Sequence, residues 1–182
     1  PENHDLKFAL ANHYQVPASN IVVGEGIDGL LGLLVRLLVS DGVKVVTSDG
    51  AYPTFNFHVH GFGGELIKVP YRDDRECLDG LLAAVREHDP AIVYLANPDN
   101  PMGTWHTADH VNRFLEEVPE DTVVCLDEAY AEFADDEAVP PVVSPKPNVI
   151  RMRTFSKAYG MAGARIGYAI ALARRTLEAD QK

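Results

Sequence analysis

Cysteine is nearly missing from this chain: 182 residues contain only Cys77 and Cys125, with no CxxC pair and no secretory segment ahead of them. A disulfide-built secreted scaffold is thereby excluded, and a reducing cytoplasm is the expected setting. Positive charge is also short. Sixteen Lys+Arg face 27 Asp+Glu, for a formal net charge of −11, so a nucleic-acid backbone would be repelled and nucleic acid is not an expected partner. Long apolar runs are absent too. The most apolar stretch, 30–39, is interrupted by Arg36 and falls well short of the ~20 residues a spanning helix needs, so no membrane association is expected. Nor are there repeats or low-complexity tracts. What remains, 46% hydrophobic and 24% charged residues, is the composition of a globular protein with a substantial core.

Short β-branched runs alternate with helical stretches along the whole chain. The runs are 21–23, 43–46, 66–69, 92–95, 123–126, 149–150 and 166–170; the helical stretches are 5–14, 28–39, 54–61, 78–88, 107–118 and a last one from Leu172. This alternation predicts an α/β fold, three-layer αβα, with a mainly parallel sheet and helices on both faces. Leu78, Leu81, Leu82 and Val85 fall at helical spacing and predict one buried stripe. The proline-rich segment 135–147 reads as a surface crossing, so a single domain is expected. In such sheets ligands gather outside the C-terminal ends of the strands.

Each strand end carries a distinctive segment. Gly24-Glu-Gly-Ile-Asp-Gly29 follows the first strand and opens a helix. Glycines there let the backbone approach an anion at the positive end of the helix dipole, which makes a phosphate cradle. The same residues match the GxGxxG dinucleotide fingerprint, with Asp49 as its distal acid, or a plain strand-to-helix turn. Tyr52-Pro53 follows the second strand, where an aromatic can stack on a flat ring or simply pack. Asn97-Pro-Asp-Asn-Pro-Met-Gly103 makes a stiff loop able to hold an amide against a ligand oxygen. Asp127-Glu-Ala-Tyr130 places a carboxylate at the end of an apolar strand, where it wants a cationic partner or caps a following helix. Among six lysines, Lys157 alone follows a strand with a hydroxyl, Ser156, beside it and a Gly/Ala-rich loop beyond. A desolvated amine there can lose its proton and attack carbonyls.

Taken in order, Gly24-Glu-Gly-Ile-Asp28, Tyr52-Pro53, the 97–103 loop, Asp127-Glu-Ala-Tyr130, and Ser156-Lys157 with Arg165 eight residues on, the chain resembles the fold type I, pyridoxal-phosphate-dependent aminotransferases of class I/II, and within them the histidinol-phosphate aminotransferase-like branch. The likeness spans roughly residues 5–170 and resolves the glycine motif toward a phosphate cradle. It implies pyridoxal 5'-phosphate as cofactor and small amino-acid and keto-acid substrates. It also implies a homodimer, since family sites are built at a subunit interface. By the same resemblance, Lys157 would be the Schiff-base lysine and proton carrier, Asp127 would pair with the pyridine nitrogen, and Asn100 and Tyr130 would hydrogen-bond the ring oxygen. Tyr52 would stack on the ring; Gly26, Ile27 and Asp28 would cradle the phosphate with Ser156 and Arg165. Lys157, Asp127 and Tyr130 are thus the expected catalytic residues.

The chain departs from the family pattern where Met102 replaces a threonine and Gly29 an acidic residue. The arginine that clamps the substrate carboxylate, and an N-terminal segment that closes the site, have no counterpart. Residues 1–182 are therefore expected to be the cofactor-binding large domain of a longer enzyme. No metal site is expected: His106 and His110 stand four apart but lack an HExxH glutamate or third ligand. Rival readings are a decarboxylase of the threonine-phosphate decarboxylase kind, a cofactor-sensing regulatory domain and a nicotinamide-cofactor domain.

Overall fold

The structure is a computed structural model and describes residues 3–140 and 146–171. The expected last helix from Leu172, with Arg174 and Arg175, and residues 141–145 of the proline-rich crossing lie outside the described residues.

Seven strands form one sheet: β1 (Ile21–Gly24), β2 (Lys44–Asp49), β3 (Glu65–Pro70), β4 (Ile92–Ala96), β5 (Val123–Asp127), β6 (Val149–Thr154) and β7 (Gly167–Ala171), in the order β1-β7-β6-β5-β4-β2-β3. The pairs from β3 across to β6 are parallel; β7 runs antiparallel to β6, and β1 antiparallel to β7. The central strands are apolar on both sides, and β4 is buried along its entire length, as a parallel strand covered on two faces must be.

Among the described residues, five α-helices supply those covers: α1 (His4–Tyr14), α2 (Gly26–Leu38), α3 (Thr54–Gly61), α4 (Leu78–His88) and α5 (Ala108–Glu117). On one face, Leu30, Leu31, Leu34 and Val35 of α2 and Phe55 and Val59 of α3 pack on Val45, Ile92, Tyr94, Cys125, Met152 and Ala169. On the other, Leu81, Leu82 and Val85 of α4 and Val111, Phe114 and Leu115 of α5 pack on Val46, Val93, Leu95, Val124 and Leu126. Because side chains alternate along a strand, Tyr168 and Ile170 leave α2's face and receive Leu10 and Ala11 of α1. Each fully buried Leu or Val contributes about 1.5–3 kcal/mol by leaving water.

Three sequence expectations are adjusted. The second helix starts at Gly26, not Asp28, so the glycine motif itself forms its first turn. Leu78 is only half-buried; the stripe continues through Ala84 instead. β6 runs on to Thr154, which places Arg151 and Arg153 inside a strand and buries both. They are tolerated there because Glu128, 1% exposed, accepts from Arg151 Nε and Arg153 Nε at 3.0 Å each and from Arg151 Nη2. A buried ion is retained only when paired and hydrogen-bonded.

Candidate active site

On α2's face, at the C-terminal ends of β4, β5 and β6, lies a cavity of about 250 Å³. Nine of the ten residues singled out from the sequence line it: Ile27, Asp28, Tyr52, Asn100, Asp127, Tyr130, Ser156, Lys157 and Arg165. The tenth, Gly26, forms the wall behind Arg165.

Gly26 adopts φ +75, a conformation glycine reaches without steric cost. A Cβ there would stand 2.7 Å from Arg165 Nη2, so the missing side chain is what lets the guanidinium lie against the first turn of α2. Arg165 itself is left-handed (φ 52) and is fixed by bonds from Nη1 to the Ala162 carbonyl (3.1 Å) and from Nη2 to the Glu25 carbonyl (3.3 Å). A fixed guanidinium beside the free N–H groups of a helix start attracts an anion through both charge and hydrogen bonds. The Asp28 carboxylate turns away from this point to meet His58 Nε2 at 2.8 Å, while Ser156 is set by its backbone N–H donating to Thr154 Oγ1 (3.1 Å).

Asp127 is buried at the end of β5. It does not cap a helix, since the short 3-10 turn Ala131–Phe133 starts after Tyr130; instead Ala129 N donates to Oδ1 (2.9 Å), and Tyr94 Oη on the neighbouring strand donates to Oδ2 (2.7 Å). Burial pushes the carboxyl above its ordinary range, against the pull of those two hydrogen bonds and of the Lys157 charge. No cation lies within 4 Å of it among the described residues. Lys157 Nζ sits 5.1 Å from the centroid of the Tyr130 ring, close enough for a cation–π contact. An amine and a buried carboxylate thus look into one cavity, with an anion cradle at its edge and Tyr52 at its rim.

The sequence reading missed Tyr94. Its signal was present: a hydroxyl-bearing aromatic in the aliphatic run Ile92-Val-Tyr-Leu-Ala96, on the same strand face as Ala96. His106 and His110 belong elsewhere, in a surface groove with Arg72, Arg75 and Arg113. His106 Nε2 donates to the Glu76 carbonyl at 2.7 Å, and no metal-binding cluster occurs among the described residues. Likewise, no helix among them is long and apolar enough to cross a membrane.

Residues 2–179 match the family model for aminotransferase class I and II. The chain is 40% identical over 173 residues to a histidinol-phosphate aminotransferase of Anaeromyxobacter sp. (strain Fw109-5), covering 91% of this chain and 46% of that protein. It is 37% identical to histidinol-phosphate aminotransferase 2 of Pseudomonas aeruginosa, again over 91% and 46%. Among solved structures, the histidinol-phosphate aminotransferase of Sinorhizobium meliloti in complex with pyridoxal-5'-phosphate superposes with TM-score 0.92 at 62% identity, over 94% of this chain and 47% of that one. The L-threonine-O-3-phosphate decarboxylase of Porphyromonas gingivalis, at 23% identity and TM-score 0.78, shares the fold. The chain spans about half the length of the curated relatives it matches. With the family model matched over nearly its whole length, the chain belongs to the class I and II aminotransferases.

Proposed function

We propose that this chain is the cofactor-binding large domain of a pyridoxal-5'-phosphate-dependent aminotransferase, one that moves an amino group between an amino acid, histidinol phosphate or an aromatic one, and a 2-keto acid. The observation that carries this reading is the pairing, across one cavity, of the Lys157 amine with a buried Asp127 carboxylate. The residues fit the cofactor on two counts. Asp127 is a buried acid with no cation within 4 Å among the described residues, which is costly unless a cationic group joins it. The Gly26 cradle has room only because it lacks a Cβ.

Bound pyridoxal phosphate supplies an aldehyde that condenses with amines and a protonated ring that withdraws electrons from the substrate Cα. Lys157 Nζ would hold the cofactor covalently and would serve as the proton carrier of the reaction. Asp127, oriented by Tyr94, would pair with the ring nitrogen and favour its protonated form. Tyr130 and Asn100 would hydrogen-bond the ring oxygen, and Tyr52 would stack on the ring. The backbone N–H groups of Gly26, Ile27 and Asp28 would hold the phosphate together with Ser156 and Arg165. Replacing Lys157 with Ala in the full-length protein should abolish both transamination and the visible absorbance of the covalently held cofactor; retention of both refutes the assignment. Release of carbon dioxide in place of a keto acid would move the protein to the decarboxylases.

The rest of the enzyme would supply the arginine that clamps the substrate carboxylate and the segment that closes the site. We place the enzyme in the cytoplasm as a homodimer. Leu37 and Phe57 on α2 and α3 are 80% and 69% exposed, apolar area of the kind subunit interfaces cover. Light scattering on the full-length protein should give twice the subunit mass, and a monomer overturns the dimer.

A further inference from the structure

Glu76 is the buried acid that the proposed chemistry leaves unused. It sits in the connection between β3 and α4, is 2% exposed, and its carboxyl lies between β2 and β4. The place it occupies is a split. β2 pairs with β3 along its full length, from Lys44 to Asp49, but pairs with β4 only at Val45 and Val46. Past that point the C-terminal ends of β2 and β4 part, and the Ala96 N–H, which faces the gap, has no strand to bond. Glu76 fills the gap: Oε1 accepts from Ala96 N at 2.8 Å, and Oε2 accepts from Ser48 Oγ on β2. A buried backbone N–H left alone costs as much as a lost hydrogen bond, so the carboxyl restores what the sheet omits.

That strand end holds the site. Ala96 is in register with Asp127, the next residue donates its N–H to the Asp127 carbonyl (2.9 Å), and Tyr94, two residues earlier, donates to the Asp127 carboxylate. Glu76 also grips the loop that bears Asn100. Its carbonyl accepts from His106 Nε2, and the His106 backbone N–H donates to Asn97 Oδ1 at 2.8 Å, while Asn97 Nδ2 donates to the carbonyls of His106 and Ala138. One residue therefore ties β2, the end of β4 and the 97–106 loop together.

We propose that Glu76 is a positioning residue for the cofactor site, a carboxyl wedge that closes the split between β2 and β4 and so fixes the end of β4 against which Asp127 and Asn100 are set. The inference rests on the aminotransferase reading for what is positioned, not for the wedge itself. Burial raises the Glu76 carboxyl to about 8, with Asp99 and Asp127 adding to the shift and its two hydrogen bonds opposing it; a neutral carboxyl suits a site already holding the Asp127 charge. Glutamine, equally neutral and of the same length, can accept from Ala96 N and donate to Ser48 Oγ, whose hydroxyl can reverse its role.

The test uses the full-length protein as wild type, Glu76→Ala, Glu76→Gln and Ser48→Ala, with three readouts: amide hydrogen exchange at residues 96–100 without cofactor, the dissociation constant for pyridoxal phosphate, and the pH midpoint of the visible band of bound cofactor. In Glu76→Ala, exchange should quicken and affinity should weaken roughly tenfold, the size of one lost buried hydrogen bond, and the midpoint should move. Glu76→Gln should match wild type in all three. Glu76→Ala indistinguishable from wild type, or Glu76→Gln as impaired as Glu76→Ala, overturns the proposal. If Glu76→Ala does not fold, Ser48→Ala decides: it removes one anchor and should shift exchange and affinity the same way by less, and no shift overturns the wedge. Wild-type protein that binds no pyridoxal phosphate refutes the aminotransferase reading, whereas the exchange comparison still judges the wedge.

Discussion

Asp127 shows how a residue suited to a ligand is ill suited to its own fold. Its carboxylate is desolvated, held by Tyr94 and Ala129, and raised in pKa chiefly by burial. Below the ordinary carboxylate value of 3.8 folded and unfolded chains both keep the proton, and the acid costs nothing. As pH rises from there toward the raised folded-state value, the unfolded chain ionises while the folded one keeps its proton, and the folded state loses stability until its own carboxyl ionises. Asp127→Asn removes that penalty while keeping an acceptor for Ala129 N and a group that can bond Tyr94 Oη. Without cofactor the variant should therefore melt higher than wild type at neutral pH, with the gap vanishing in acid. Cofactor should reverse the order, because a ligand that binds only the native state stabilises it by mass action, and the wild-type carboxylate then has its cation. Turnover should drop about 10²-fold or more, as when one partner of a buried charge pair is removed at roughly 3–5 kcal/mol. Melting curves at three pH values, with and without pyridoxal phosphate, check it; a variant less stable than wild type in the cofactor-free state at neutral pH would sink the account.

At the level of elements, the sequence was most readable where one local rule settled the outcome. α3, Thr54–Gly61, and α4, Leu78–His88, lie where the apolar period and turn residues put them. β4 was legible because its run of consecutive apolar residues, set among alternating strand-like and helical stretches, suits a parallel strand buried on both faces. Boundaries failed where a local rule was overruled from a distance. Arg151 and Arg153 look like the end of a strand, yet β6 continues through them because Glu128, 23 and 25 residues away in sequence, neutralises both. The helix of Gly26 starts two residues early because a glycine motif that reads as a loop also supplies the first turn. Asp127 could be read as a cap; its actual partner, Tyr94, comes from the adjacent strand, and strand order is not written in any one segment. Glu76 was invisible for the same reason. It sits among charged residues, Asp73, Asp74 and Arg75, and only the split between β2 and β4 makes it a core residue.

In the whole molecule, the parallel sheet from β3 to β6 carries Tyr52, Asn100, Asp127, Tyr130 and Lys157, and the two strands added antiparallel at one edge carry the phosphate cradle: Gly26 to Asp28 follow β1, Arg165 precedes β7, and α1 packs on this edge. The Glu128 cluster joins this annex to the rest. Glu128 lies directly after β5; Arg151 and Arg153 belong to β6, and Arg151 Nη2 also donates to the Pro140 carbonyl (2.8 Å). The Arg153 guanidinium lies 5.6 Å from the ring centroid of Tyr14 on α1, whose hydroxyl meets that of Tyr168 on β7 at 2.6 Å. One carboxylate thus faces two guanidiniums, with Glu132 3.6 Å from Arg153, and sits one residue from Asp127. Glu128→Gln is nearly isosteric but removes the buried carboxylate charge that Arg151 and Arg153 share. The expected cost is roughly 3–5 kcal/mol, far above a surface ion pair at about 0–1 kcal/mol. Urea unfolding of the full-length protein should show a much lower midpoint, with the loss of cofactor absorbance following the loss of fold. Arg86→Gln, which breaks the exposed bond to Glu117, should leave the midpoint unchanged. A Glu128→Gln midpoint equal to that of Arg86→Gln would mean that the cluster does not hold the annex to the sheet.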